Sequence, residues 1–345
     1  MRPTFLSLLL SAFAVQIHAE VNLPAVISDH MVLQSEAGAA IWGWAEAGEE
    51  VMVTIAEQTQ TTKAAADGRW QVKLGALKPS GEPQTLTVKG TNTLTVKDVL
   101  VGEVWLASGQ SNMEMQIKGE LHGSVAGADE EIAAAKFPQI RMFMHGAHFA
   151  IYELPVPPDQ PVADRPGRWH VCSPETVAEF SAMGYFFARD LHRQLGIPVG
   201  IVHASAGGTP IEAWTSLSAQ EADLTLKPML DDWKKRLTNF DPAGEKSDYL
   251  QKKEVWLKQR SAAVKKGEAP PKAPLPFKNL RVMTPGGLFN GAIAPLIPYT
   301  IRGCIWYQGE RNAAGSFTGL YGTQLRTLIA DWRARWGNEF YFAWV

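Results

Sequence analysis

The fold turns on Val99-Leu100-Val101-Gly102-Glu103-Val104-Trp105-Leu106-Ala107, followed at once by Ser108-Gly109-Gln110-Ser111-Asn112-Met113. The first part is an almost unbroken apolar run, which predicts a strand covered on both faces. The second is a turn of small and polar residues leading into a helix. Downstream, strand-like runs at 139–144, 199–204, 301–307 and 340–345 alternate with helical patterns at 128–136, 177–195 and 320–336. Gly196-Ile197-Pro198 ends the second of these helices. This alternation predicts an α/β fold, a parallel sheet with helices on both faces.

Upstream the text differs. Short alternating runs at 39–44, 51–56, 69–74, 85–89 and 93–96 are separated by Ala47-Gly48, Asp67-Gly68 and Pro79-Ser80-Gly81. They predict a small antiparallel β-sandwich. Asp29-His30 reads as a loop, since two adjacent polar residues make no site. Residues 218–276 are lysine-rich, helical in pattern and end in a proline-rich stretch, which predicts an insertion with a solvated face. The expected layout is therefore a leader over 1–19, the sandwich over 20–97, and the α/β domain over 98–345 interrupted by the insertion.

The chain has 345 residues, of which 46% are hydrophobic and 20% charged, enough apolar material for large cores. Its 33 Lys and Arg against 35 Asp and Glu leave no basic field for a nucleic-acid backbone. Two cysteines exclude a disulfide scaffold and a Cys-rich zinc module, and no metal or cofactor is expected. The 12 tryptophans suggest a carbohydrate ligand, because indole stacks well on sugar faces. Residues 1–19 place Arg2 before an apolar run over 5–15 and a small residue at Ala19. That is the arrangement of a secretory signal peptide, which predicts an exported protein, periplasmic or extracellular. No later run reaches the length of a membrane span. In an oxidising compartment Cys172 and Cys304 are open to pairing, although the apolar run around Cys304 favours a buried free thiol.

In open α/β sheets ligands bind at the carboxyl ends of strands. Three such ends carry glycine with a hydroxyl or an amide: Ser108–Met113; Ser205-Ala206-Gly207-Gly208-Thr209-Pro210-Ile211-Glu212-Ala213-Trp214; and Gln308-Gly309-Glu310-Arg311-Asn312. Acyl transfer fits them. Ser111 is the candidate nucleophile, and its backbone N–H, that of Gly207 or Gly208, and the Gln308 amide are candidate oxyanion donors. Phosphate-binding glycine motifs are absent.

The block from Gly102 to Glu114 closely resembles the nucleophile block of bacterial sialate O-acetylesterases, of the SGNH hydrolase superfamily. Residues 207–214 and 306–310 resemble that family's second and third blocks, and residues 23–34 and 287–296 also look like family text. The resemblance implies an SGNH-type hydrolase domain that removes acetyl esters from sialic acid or a plant polysaccharide. It implies Ser111 as nucleophile, Gly207, Gly208 and Gln308 as the oxyanion hole, and Glu310 as an orienting residue. Gln110, Asn112, Thr209, Glu212, Trp214 and Arg311 are expected to touch substrate.

The chain departs from the family in three places. Arg311 replaces the usual serine, and either clamps a substrate carboxylate or pairs with a surface acid. Ala206 replaces a tryptophan at the expected pocket. The family's general base comes from an Asp-x-x-His block beyond the fifth strand, whereas this sequence stops at Val345 and none of its eight histidines follows an aspartate at that spacing. His203 is the histidine nearest the active edge. Serine without a base is a weak nucleophile, so the expectation is an impaired esterase with an uncovered final strand. The alternative is a non-catalytic sugar-binding protein using Trp214 and Trp306.

Overall fold

The computed structural model describes residues 20–119, 123–144, 160–238, 241–269, 271, 274 and 283–345. The expected leader lies outside these residues. Among the described residues there are twelve strands, β1 to β12 in chain order, and ten of them belong to a sheet that runs through β7 (Thr93–Gly109). From Thr93 to Asp98 the side chains of β7 alternate between exposed and more buried positions, whereas from Val99 onward nearly all are buried. The change in burial follows the change in hydropathy. The first half lies in an antiparallel sheet with a wet face, and the second in a parallel sheet covered on both sides. Asp98 sits at the change with φ of 54°, a left-handed conformation that aspartate tolerates better than most residues.

The first half of β7 pairs with β6 (Ser80–Lys89), which continues to β3 (Glu50–Ile55) and β4 (Gln58–Lys63). A short strand, β1 (Val32–Gln34), runs parallel to Leu100–Gly102. Strands β2 (Gly38–Trp44) and β5 (Arg69–Ala76) form a separate two-stranded sheet. Strand β4 is missing from the sequence expectation because Gln-Thr-Gln-Thr-Thr-Lys has no apolar alternation. It is an outer strand, and its polarity blunts that edge.

The second half of β7 is central in the order β12-β11-β7-β10-β8-β9. These are β8 (Phe137–Met144), β9 (Arg168–Cys172), β10 (Val199–Ser205), β11 (Gly303–Tyr307) and β12 (Tyr341–Trp344). All pairings are parallel except that of β8 with β9. Gly102 is required where β7 passes Pro198, since a Cβ there would stand 1.9 Å from the Pro198 carbonyl oxygen.

Seven α-helices are described: α1 (Ser111–Glu114), α2 (Ala128–Ala134), α3 (Ala182–Leu195), α4 (Leu217–Ala222), α5 (Lys227–Thr238), α6 (Pro242–Lys266) and α7 (Tyr321–Trp336). The helix expected over 177–195 begins only at Ala182. Ser181 caps it, its Oγ accepting from the Gly184 N–H while donating to the Met113 carbonyl. Val177–Glu179 is a separate 3₁₀ turn. Helix α6 has mostly exposed side chains among those described and carries ion pairs at i,i+4 spacing, Asp248–Lys252 and Glu254–Lys258. No described helix is long and apolar enough to cross a membrane.

One apolar core runs from Val51, Val53 and Leu86 of the sandwich through Val104 and Leu106 of β7 to Trp306 and Trp332. A second core fills the other face of the parallel sheet, with Ala107, Ile201, Ile305, Phe180 and Tyr185. Cys304 belongs to the first and Cys172 to the second, so the sheet separates them, and both are free. Burial pushes the Cys172 thiol up to about 12.

At the junction Arg141 donates to both Asp98 oxygens, at 2.7 and 3.2 Å, and His30 Nδ1 lies 2.6 Å from one of them. Burial raises the Asp98 carboxyl. The hydrogen bonds and charges of Arg141 and His30 outweigh that effect and hold it below its ordinary value. A depressed carboxyl stabilises the fold above its unfolded-state pKa and loses that contribution as pH falls through its folded value. Asp98→Asn is therefore expected to cost about 2 kcal/mol at neutral pH. Urea denaturation as a function of pH should show the gap between the two proteins closing below about pH 4.

Candidate active site

Gly109 faces Ser205 of β10 on one side and Tyr307 of β11 on the other, so three parallel strands end at one level. The loops that follow them form the site. Gly109 has φ of 144°, and a Cβ there would lie 2.1 Å from the Tyr307 carbonyl oxygen. Only glycine allows the chain to leave the sheet so close to β11. The turn places Ser111 at the first position of α1, half-buried, and its Oγ makes no hydrogen bond to a described residue.

Gln308 ties the loops together. Its side chain is 2% exposed. Its Nε2 has three acceptors: Asn312 Oδ1 at 2.7 Å, the Thr209 carbonyl at 3.1 Å and Gln110 Oε1 at 3.2 Å. Each acceptor follows a different strand. The backbone of Gln308 is also held, because the Tyr321 hydroxyl donates to its carbonyl at 2.6 Å. Burial raises the Tyr321 phenol and Glu310 adds to this, so it stays a donor. Gln308 was expected to lend its amide to an oxyanion. Two hydrogens facing three protein acceptors leave neither uncommitted in this state.

Gly207 is similarly engaged, its N–H donating to Glu114 Oε2 at 2.6 Å. Gly208 differs: it has φ of 67°, and its N–H makes no hydrogen bond to a described residue. Asn112 Nδ2 donates to Glu310, an exposed carboxylate at the rim. The Arg311 side chain is exposed and forms no ion pair among the described residues, so the expected surface partner is not seen.

Four residues expected to touch substrate lie inside the protein. Thr209 is fully buried, its Oγ1 donating to the Ala206 carbonyl and accepting from Trp214 Nε1. Trp214 is also fully buried, edge-on to Trp306, which in turn packs on Trp332. The tryptophans expected to stack on sugar thus form core. Gln110 is buried, with its Oε1 accepting from Gln308 and from the Arg311 N–H. Glu212 is buried, accepting from Asn312, Gln324 and Trp233. Ala206 is buried as well.

His203 Nε2 lies 2.6 Å from Ser205 Oγ, and no hydrogen bond joins it to Ser111. Among the described residues no cluster of His, Cys, Asp or Glu is arranged to hold a metal. Sequence reasoning missed Glu114, Asn312 and Tyr321. For Glu114 a signal existed, a carboxylate three positions after Ser111 in a helix. For Tyr321, which reaches the site from α7, there was none.

Residues 101–239 match the family described as carbohydrate esterase, sialic acid-specific acetylesterase. The chain is 31% identical to a sialate O-acetylesterase of Rattus norvegicus over 96% of its own length and 60% of the relative's. It is 30% identical to the human sialate O-acetylesterase over 89% of its length and 52% of that protein. A crystal structure of a carbohydrate acetylesterase from Xanthomonas citri superposes with a TM-score of 0.67 at 29% identity, covering 94% of this chain and 59% of that one. The chain thus spans between half and two thirds of the length of these relatives.

Gly109→Ala is expected to destabilise the protein by more than about 2 kcal/mol, from a forbidden φ and a backbone collision. Thermal unfolding of the variant beside the parent protein checks this. A change in Tm within about 1 °C would show that the turn relaxes without cost.

Proposed function

This chain belongs to the sialic acid-specific acetylesterase family of carbohydrate esterases, and on that premise we propose that it hydrolyses acetyl esters carried on sugars, with Ser111 as nucleophile. One observation carries the reading: three strand ends stand level at Gly109 and present the Ser111 hydroxyl uncommitted beside them. The Ser111 Oγ attacks the acetyl carbonyl carbon and its proton ends on the departing sugar oxygen, giving an acyl-enzyme and a sugar hydroxyl through a tetrahedral intermediate. Water then adds to the acyl carbon, one of its protons returns to Ser111 Oγ, and acetic acid leaves as acetate and a proton. The backbone N–H groups of Ser111 and Gly208 are the donors best suited to the developing oxyanion. Gln308 holds both turns in place, through Gln110 and Thr209. Glu310 and Arg311, both at the rim, are the groups available to the sugar, and Arg311 suits a sugar carboxylate.

A purely sugar-binding role is less well supported, because Trp214 and Trp306, its stacking residues, are buried. The composition of residues 1–19 supports export to the periplasm or the medium.

The test compares the parent protein with Ser111→Ala on p-nitrophenyl acetate, O-acetylated sialic acid and acetylated xylan. The parent should release acetate slowly, since no hydrogen bond joins a described histidine to Ser111, and the variant should fall to background. The ratio of kcat/KM on the two sugars identifies the substrate. Equal release by both proteins would remove Ser111 from the mechanism.

A further inference from the structure

The buried carboxylate of Glu212 has no cationic partner among its hydrogen bonds, and its donors are all neutral. Trp233 Nε1 reaches Oε1 at 3.2 Å, while Asn312 Nδ2 at 2.9 Å and Gln324 Nε2 at 3.1 Å reach Oε2. A buried carboxylate is costly unless its oxygens are well bonded, so its presence in the 3₁₀ turn Ile211–Trp214 calls for a reason. Asn312 supplies one. Its Nδ2 faces the carboxylate, and its Oδ1 accepts from both the Ile211 N–H at 2.9 Å and Gln308 Nε2 at 2.7 Å. Glu212 Oε2 accepts at Nδ2 while the Ile211 N–H donates to Oδ1, and together they fix which end of the Asn312 amide points to the carboxyl group. Asn312 then fixes which end of the Gln308 amide points toward Gln110 and Thr209.

We infer that Glu212 and Asn312 are positioning residues, which set the orientation of the Gln308 amide and through it the turns carrying Ser111 and Gly208. The inference rests on the esterase reading only for its kinetic consequence. The line Glu212–Asn312–Gln308–Gln110 connects a buried carboxyl group to the residue before the nucleophile. A turn displaced by about an ångström loses about a hundredfold in rate, so the relay acts on kcat.

Three variants test it. Asn312→Ala removes the shortest acceptor of Gln308. Asn312→Asp sets a second carboxylate against Glu212. Adding Glu212→Gln to Asn312→Asp exchanges the two functional groups and restores a donor facing an acceptor between positions 212 and 312, with Gln324 turning its amide to accept and giving up its contact to Met229 Sδ. Two readouts are taken: kcat and KM on p-nitrophenyl acetate, and the side-chain amide signals of Gln308 by ¹H–¹⁵N NMR.

Asn312→Ala and Asn312→Asp should move the Gln308 signals and lower kcat about a hundredfold with KM within about threefold, and the exchanged pair should recover most of both. Should Asn312→Ala fail to fold, the comparison of Asn312→Asp with the exchanged pair decides. Unmoved Gln308 signals, or a loss confined to KM, would overturn the inference. If the parent and Ser111→Ala release acetate equally, the esterase reading fails instead, and the Gln308 signals alone decide whether the relay orients that amide.

Discussion

Strand β7 has to satisfy two sheets at once, and the remaining architecture follows from how it does so. Its first half has one wet face and accepts alternating residues, while its second half is covered on both faces and accepts only apolar or small ones. The backbone runs through without a break, so the position of the sandwich fixes the direction of the central strand of the parallel sheet. Asp98, bonded by Arg141 and His30, holds the turnover point between the two regimes. The apolar core is correspondingly continuous across both parts.

The same strand sets the level of the active edge. Because β10 and β11 both pair with it in parallel up to Gly109, the loops after all three leave the sheet together. Loops alone would not keep their spacing to the accuracy that acyl transfer requires. Here a single buried amide, Gln308, cross-links them, backed by Tyr321 and by the Glu212–Asn312 pair. Within this network Gln308 and Glu212 are buried while Asn312 and Tyr321 are half-buried, and Trp214 and Trp306 pack in the core.

How far the sequence determined the protein can be judged from individual residues. The apolar run from Val99 and the Gly109 turn were readable, because hydropathy period and glycine chemistry are local properties. Ser111 was placed at the head of a helix for the same reason, and the family blocks around it are contiguous in the chain. Strand β4 was not readable, because an exposed outer strand needs no apolar pattern. The break at Ser181 lay within a helical periodicity, and only the contact with Met113 and the cap distinguish it.

The roles of Thr209, Glu212, Trp214, Gln110 and Gln308 belonged to the tertiary structure. Their residue types suit a ligand and a core equally well, since an amide or an indole N–H bonds as readily to a protein carbonyl as to a sugar hydroxyl. Which partner is met depends on what packs above them. That is decided by residues far away in sequence, such as Gln324 and Tyr321 of α7 and Trp233 of α5. The sequence by itself determined the sheet, the edge where its loops gather and the place of Ser111 at the head of a helix, because these follow from local pattern. Only the tertiary structure decided which polar groups remain at the rim and which hold the frame, because burial is a property of the whole packing.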